Sequence, residues 1–244
     1  MAETTKGMES AGQAPKAPMD PSAGLMAATI KGDWAAASAC LGLPGVDVNK
    51  PDPQGWTPLM HATFDGAADL IRLLADHPDI DLAVENEMGS ALHLAAWMGR
   101  VDAMDALLAG GGLDPNLKGA DGCTALIVAA NSGRAESANR LLEIPGIDVN
   151  ARDNAGDTAL IAAAHRRPDI VRMLLARAEI DASASNKEGR TAMDVARDLG
   201  EPEIFRLIGA HLARREAIEI ARSLGAPGLA EGPKPTPRAK KTRL

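Results

Sequence analysis

The sequence predicts an all-α solenoid, in which short antiparallel helix pairs stack one after another. The first observation is a repeat: equivalent stretches begin at Leu59, Leu92, Leu126, Leu160 and Met193, at intervals of 33, 34, 34 and 33 residues. The second is composition, because 45% of the residues are apolar but only 2% are aromatic. Small aliphatic side chains must therefore fill the interior. A fixed period of this size is typical of stacked identical units, which offer an elongated recognition surface.

Each unit opens with a turn and a short helix. The turn contains Asp or Asn followed by Gly, as in Asp153-Asn-Ala-Gly156, and glycine supplies the positive φ that a tight turn requires. A hydroxyl residue then stands where it can cap a helix start: Thr57, Ser90, Thr124, Thr158 and Thr191. The helix that follows has a narrow apolar face with i, i+3, i+4 spacing, for example Leu126, Ala129 and Ala130.

A second helix completes each unit. Glycines end the first helix at Gly66, Gly99, Gly133 and Gly200, and Arg167 takes that place in the fourth full unit. The second helix carries leucine pairs: Leu73-Leu74, Leu107-Leu108, Leu141-Leu142 and Leu174-Leu175. A turn such as Ile147-Asp148-Val149-Asn150 closes the unit.

This order of motifs resembles the ankyrin repeat. The best matches are Trp56-Thr57-Pro58-Leu59 and the segment from Ser90 to Ala96. The resemblance implies antiparallel helix pairs with β-hairpin-like loops at right angles to the stack. It implies non-catalytic recognition of a protein partner through the concave groove and hairpin tips. It also implies that His93 forms a structural hydrogen bond to the neighbouring hairpin.

The repeat plan divides the chain into three parts. The array spans residues 22–224, with a degenerate N-terminal capping unit at 22–51, full repeats at about 52–84, 85–117, 118–151 and 152–184, and a C-terminal capping unit at 185–224. We expect residues 1–21 to be disordered and residues 225–244 to form a flexible, proline-rich, basic tail. The tail carries +4 of the net charge of −7, so the remainder carries −11.

No sequence pattern indicates catalysis, a cofactor or a metal site. The two cysteines, Cys40 and Cys123, lie in different units without other ligands at short spacing. The run from Gly110 to Gly112 lacks the Lys and Ser/Thr that follow a phosphate-binding loop. We therefore expect a protein that is not an enzyme and has no small-molecule substrate. The acidic balance, with a pI of about 5.3, argues against general nucleic-acid binding, and association of the basic tail with nucleic acid or an anionic surface is a minor alternative.

Localisation is expected to be cytoplasmic. The N-terminus lacks the apolar core of a secretory signal, and the charge-free run from Trp34 to Val46 is too short to cross a bilayer. We expect a monomer without a membrane partner, and nuclear import through the basic tail is an alternative.

The candidate binding residues follow from the placement of the few aromatic side chains. Phe64 and Trp97 each lie five residues after the leucine of their unit, and Trp56 lies in a hairpin. The resemblance places these positions in the concave groove. We expect a partner surface centred on Trp56, Phe64, Met88, Trp97 and Met98, with Asp65 beside it and with Asn131, His165 and Arg166 further along. The groove should change from apolar and acidic to basic along this path. The alternative is that Phe64 and Trp97 fill the interior.

Two functions would use the same surface. The chain could be an adaptor that binds a protein partner, or a regulatory or inhibitory subunit that masks the site of a partner enzyme. The sequence leaves both open.

Truncation of an interior leucine tests the stacking of the units. Leu107→Ala or Leu141→Ala should lower the free energy of unfolding by about 2–5 kcal/mol, because each side chain fills space between stacked helices. Chemical denaturation of each variant measures this loss. A loss below about 1 kcal/mol in both variants would contradict the proposed packing.

Overall fold

A computed structural model describes residues 20–223 of the chain. Twelve helices within this range form six consecutive pairs, which we number one to six along the chain. They are α1 (Pro21–Ile30), α2 (Trp34–Leu41), α3 (Pro58–Asp65), α4 (Ala68–Ala75), α5 (Ala91–Met98), α6 (Val101–Leu108), α7 (Ala125–Ser132), α8 (Ala135–Leu142), α9 (Ala159–Ala163), α10 (Pro168–Leu175), α11 (Ala192–Asp198) and α12 (Pro202–Ser223). None of these helices combines the length and apolar character that a bilayer crossing requires.

Hairpin-like loops connect the pairs. The loop before α5 forms a short antiparallel ladder of β1 (Glu85–Asn86) and β2 (Gly89–Ser90), in which Glu85 pairs with Ser90. The next three loops close with a single antiparallel bridge each, between Lys118 and Thr124, Arg152 and Thr158, and Ser185 and Thr191. The basic tail lies outside the described residues, as does the predicted N-terminal disordered segment up to residue 19.

The pairs stack in two rows of helices. The first helices of the pairs, α1, α3, α5, α7, α9 and α11, pack on one another in order, and the second helices form a parallel row beside them. Alanines dominate the contacts of the first row, and Ala95, Ala96, Ala129, Ala130 and Ala163 are fully buried. Small side chains let neighbouring helices approach closely, so the core is a continuous strip between the rows. The predicted all-α solenoid is confirmed.

Hydroxyl caps start four of the first helices. The side chains of Thr57, Thr124, Thr158 and Thr191 each accept a hydrogen bond from the backbone N–H three residues later. This contact satisfies one of the free donors at a helix start. Ser90 differs because its hydroxyl contacts His93 Nδ1 at 2.8 Å.

Arginines from the following pair close the ends of two first helices. Arg100 donates to the carbonyl of Phe64 at 3.3 Å, and Arg134 Nε donates to the carbonyl of Trp97 at 2.8 Å. Such terminal carbonyls have no partner inside their own helix. Each arginine therefore satisfies a helix end and also joins consecutive pairs.

The fourth full unit departs from the expected helix ending. We expected Arg167 to replace the terminal glycine, but Arg166 adopts the left-handed backbone, with φ 69°. The helix α9 ends at Ala163, and Arg167 directly precedes α10. The segment from the cap Thr158 to the left-handed residue is one residue shorter than in the preceding units. The left-handed position therefore falls on residue 166 and not on residue 167. A non-glycine residue in this conformation costs about 1–2 kcal/mol.

The leucine pairs are not all equivalent. Leu74, Leu107, Leu141 and Leu174 are fully buried, and each is the seventh residue of its helix. Leu73, the sixth residue of α4, is 39% exposed. Leu73 differs from the first leucine of the other pairs because α4 starts one residue later relative to its leucine pair than α6 does. Leu73→Ala is therefore a matched control for Leu107→Ala and should cost much less stability.

The array begins earlier than the predicted boundary at residue 22. Asp20 accepts a hydrogen bond from Ser22 N at 3.0 Å, and Pro21 is the first residue of α1. Proline is favoured there, since the first helical N–H has no partner in any case. At the other end of the array, the side chains of Ile204 and Ile208 in the first half of α12 are fully buried. Further along this helix, Arg215 donates a hydrogen bond to the carbonyl of Ile180.

Asparagine bridges link the turns that close consecutive units. Asn49 donates to the carbonyl of Asp79 at 2.7 Å and accepts from Asp81 N at 2.8 Å. Asn116 and Asn150 make the same pair of bonds to the following turn. Each bridge satisfies one backbone donor and one backbone acceptor across a joint between units.

One joint lacks this bridge. Ala83 occupies the equivalent position in the second pair, and Asp114 N and the Gly112 carbonyl have no hydrogen-bond partner among residues 20–223. A cleft of about 460 Å³ lies here, with Leu82 and Leu113 in its lining. The turn side of the joint between the second and third pairs is therefore held less firmly than its equivalents.

Restoring and removing a bridge tests this difference. Ala83→Asn should raise the free energy of unfolding by about 1–2 kcal/mol, because two backbone groups gain partners. Asn116→Ala should lower it by about 1–3 kcal/mol, because two groups lose theirs. Urea denaturation of both variants provides the comparison. A neutral or destabilising Ala83→Asn beside a destabilising Asn116→Ala would show that the turn at 110–114 cannot accept a bridge.

Candidate protein-binding surface

Two neighbouring helix pairs expose an unusual set of large apolar side chains. Phe64 and Trp97 are the seventh residues of α3 and α5, and they are 42% and 43% exposed. Met88, at the tip of the β1–β2 hairpin, is 42% exposed, and Trp56 is half-buried beside Phe64. We call Trp56, Phe64, Met88 and Trp97 the aromatic surface. Phe64 and Trp97 do not fill the interior, so the alternative placement is wrong.

The rings of the second pair form a defined cluster. The Trp56 and Phe64 ring centroids lie 5.7 Å apart at an interplanar angle of 83°, an edge-to-face contact that aromatic rings favour. The Trp56 ring also lies 5.3 Å from the imidazole of His61. This packing holds Trp56 in place, while Phe64 remains 42% exposed.

The carboxylate of Asp52 holds the residues of this cluster in place. Asp52 Oδ1 accepts hydrogen bonds from Trp56 N and Gln54 N at 2.9 Å each, and Asp52 Oδ2 lies 2.9 Å from His61 Nε2. Burial alone would raise the pKa of Asp52, but the contacts with His61, Trp56 and Gln54 outweigh it and lower the pKa. The carboxylate is thus kept ionised as the centre of the turn.

A recess of about 230 Å³ lies beside the rings, between two hairpins and two first helices. Its apolar wall consists of Met88, Leu94, Trp97 and Val128. Its charged lining residues are Glu87 and Asp121, which come from consecutive hairpin tips. The recess combines an apolar wall with an acidic rim.

The imidazole in this recess is fully occupied by structural contacts. His93 Nδ1 accepts from Ser90 N at 3.2 Å, so the ring proton is on Nε2, which donates to the carbonyl of Cys123 at 2.9 Å. The expected hydrogen bond to the neighbouring hairpin is confirmed. His93 is 2% exposed. It holds two hairpins together and has no ring nitrogen left for proton transfer.

The other predicted site residues lie along the same edge. Asp65, Asn131, His165 and Arg166 are exposed, and Met98 is half-buried. Arg166 Nε forms an ion pair with Glu201 Oε1 at 3.1 Å. Phe64, Trp97, Asn131 and His165 occupy the same position relative to their helix caps, seven residues after Thr57, Ser90, Thr124 and Thr158. Of the predicted site residues, the recess brings together Met88 and Trp97 only.

Sequence reasoning missed Leu94, Val128 and Asp121 as parts of the recess. Leu94 and Val128 read as interior helix residues, and Asp121 reads as an ordinary turn residue. The repeat pattern could have identified Asp121, because this residue occupies the hairpin tip of the unit that follows the unit of Met88. Only the stacking of consecutive hairpins brings Asp121 near the Trp97 ring.

The described residues offer little for catalysis. Within residues 20–223, no three His, Cys, Asp or Glu side chains come together in a way that could hold a metal ion. Cys123 is a free thiol. Burial, together with the carboxylates of Asp121 and Asp153, raises its pKa to about 12. A thiol with this pKa is not a nucleophile near neutral pH.

Comparison with known proteins identifies the repeat. Residues 25–119 and 126–216 match a family model described as ankyrin repeats (3 copies). Among solved structures, the ankyrin repeat domain of Bcl-3, a member of the IkappaB protein family, is 27% identical with a TM-score of 0.71, covering 77% of this chain and 85% of its own. The ankyrin repeat protein EF0377 is 28% identical with a TM-score of 0.70, covering 77% and 97%. No curated protein matches the chain.

The raised pKa of Cys123 predicts a slow thiol. At pH 9 the unfolded chain should present Cys123 as thiolate to a large extent, while in the folded chain the thiol stays protonated until the pH approaches about 12. Alkylation of Cys123 at pH 9, followed by peptide mass spectrometry, should therefore be much faster in denaturant than in native buffer. Equal rates in both conditions would contradict the raised pKa.

Proposed function

The chain belongs to the ankyrin repeat family, and from this premise we propose that it is a non-catalytic adaptor that binds a protein partner through the aromatic surface and the adjacent hairpin tips. Ankyrin repeats generally serve as protein–protein interaction modules, and members of the family are typically non-catalytic. The proposed binding module is the array from residue 20 to residue 223. The proposed location is the cytoplasm, where free cysteines such as Cys40 and Cys123 remain reduced.

One observation carries this proposal: four large apolar side chains on consecutive helix pairs lie on the same edge and are partly exposed. An apolar patch in contact with water favours association, and such patches commonly mark protein interfaces. Tryptophan residues at interface centres often contribute about 2 kcal/mol or more to binding. Trp97 therefore has the chemistry of an anchor.

The scaffold supports recognition because it is already ordered. At least one arginine or asparagine bridge joins each of the first five pairs to the next, so binding costs little ordering of the backbone. An interface of ordinary size buries about 800 Å² on each partner. We propose that it extends from the hairpin before α3 toward Asn131, His165 and Arg166.

The aromatic surface serves equally for an inhibitor. A subunit that covers the site of a partner enzyme would use the same rings, and the difference lies in the partner. Once a partner is purified, its activity with and without this protein distinguishes the two functions: unchanged activity supports an adaptor, and loss of activity supports an inhibitor.

Removing the two exposed rings tests the proposal. The double variant Phe64→Ala with Trp97→Ala should weaken partner capture at least about tenfold, because each ring should contribute to binding. Its melting temperature should change by only a few degrees, because both rings are partly exposed. Affinity capture from native lysate with wild type and variant in parallel, together with thermal unfolding, measures both effects.

Trp34→Ala provides the matched control. Trp34 is 45% exposed, lies on α2 of the first pair, and neither lines the recess nor stacks on the other rings. The Trp34→Ala variant should leave capture of the partner protein unchanged. If the double variant unfolds, or if its folded fraction retains the same bound proteins as the wild type, the aromatic surface is not the binding site.

A further inference from the structure

We propose that the recess of the aromatic surface receives an apolar side chain of the partner that is flanked by lysine or arginine. This inference rests on the proposed function and specifies the chemistry of the partner segment. It follows from the apolar wall of the recess and the charge of its rim.

The wall requires an apolar group. Leu94 is 2% exposed and forms the floor, while Met88 and Trp97 stand at the sides with more than 40% of their surface open. A recess of about 230 Å³ matches a single aliphatic side chain better than a whole ligand of drug size, which needs at least about 300 Å³. The polar ring atoms of His93 are already bonded and do not compete.

The rim requires a positive group. Glu87 and Asp121 are exposed at the two hairpin tips, and neither forms an ion pair with any residue in the range 20–223. Many other carboxylates of the array are paired, for example Asp105 with Arg140 and Glu201 with Arg166. The recess has no lysine or arginine in the part of its lining that the structure describes, and the Nε of Arg134 is engaged with the Trp97 carbonyl.

Charge complementarity therefore selects the partner. Two unpaired carboxylates at the mouth of an apolar recess attract a segment that carries lysine or arginine next to its apolar residue. An acidic segment, or the phosphates of a nucleic acid, would be repelled at low ionic strength. The acidic balance of the array as a whole acts in the same direction.

The three tryptophan side chains of the full chain provide residue-specific reporters. Their indole N–H signals can be followed by nuclear magnetic resonance in the isotope-labelled full chain and assigned with Trp34→Phe, Trp56→Phe and Trp97→Phe. The probes are three acetylated pentapeptides: leucine between lysine pairs, leucine between glutamate pairs, and serine between lysine pairs. We expect the lysine–leucine peptide to shift the Trp97 signal and to leave the Trp34 signal in place. Its affinity should exceed that of each of the other two peptides by at least about tenfold at low salt.

Charge variants test the rim separately. Glu87→Gln with Asp121→Asn should lower affinity for the lysine–leucine peptide about 3- to 10-fold at low salt, and the difference should shrink as salt is added. Asp102→Asn with Glu136→Gln is the matched control: it changes the net charge equally but alters the first turns of α6 and α8. The control should remain within about twofold of wild type, a change below about 0.4 kcal/mol.

Several results would overturn the inference. Equal binding of the glutamate–leucine peptide would remove the role of the rim, and equal binding of the lysine–serine peptide would remove the role of the wall. A Trp97 signal that moves when Lys240→Glu and Lys241→Glu are introduced into the full chain would show that the chain's own tail occupies the recess. If no peptide shifts Trp97 while Phe64→Ala with Trp97→Ala still abolishes partner capture, the inference fails and the proposed function stands.

Discussion

The close contact between alanines of consecutive first helices is the constraint on which the rest of the structure depends. Ala95, Ala129 and Ala163 follow one another down the stack and are fully buried. Their small size lets consecutive first helices pack closely. This packing brings His93 to 2.9 Å from the Cys123 carbonyl and Arg134 to 2.8 Å from the Trp97 carbonyl. A larger side chain in this row would separate the pairs and break these polar contacts together.

The same constraint accounts for the aromatic surface. Alanine, leucine, isoleucine, valine and methionine fill the core, and Phe205 is the aromatic residue that packs against it within residues 20–223. At the seventh position of α3 and α5 the side chain points away from the row, so Phe64 and Trp97 stay partly in water. Exposed rings carry a cost in solubility unless something covers them. Asp52 and the hairpin of Met88 hold their neighbourhood in place, which gives these rings a fixed orientation before any contact is made.

The joint between the second and third pairs combines two features. On the hairpin side it carries Phe64 on one pair and Trp97 on the next, while on the turn side the bridge of the other joints is absent at Ala83. A partner that contacts both rings would span this joint. Binding across this joint would stabilise the folded array by linkage, by RT ln(1 + L/Kd), where L is the free partner concentration. Arg166 is a second local departure, where a shortened turn places a non-glycine residue at positive φ.

The sequence alone determined the repeat, its period and the hydroxyl caps at Thr57, Thr124, Thr158 and Thr191, because these features depend on local backbone geometry and recur with each unit. The structural role of His93 was implied by the resemblance to ankyrin repeats, and its bond to the Cys123 carbonyl depends on the stacking of two units. The sequence also placed Phe64 and Trp97 at equivalent positions, but the solvent exposure of their rings is set by the packing of the helices. Tertiary structure decided the exposure of Leu73, because it depends on how α4 is placed against its neighbours. The positive φ of Arg166 follows from the shortened turn after α9, and the start of α1 at Pro21 follows from a local cap by Asp20. The recess was likewise decided by stacking: Asp121 and Trp97 come from different units, and no local pattern specifies how close two hairpin tips lie.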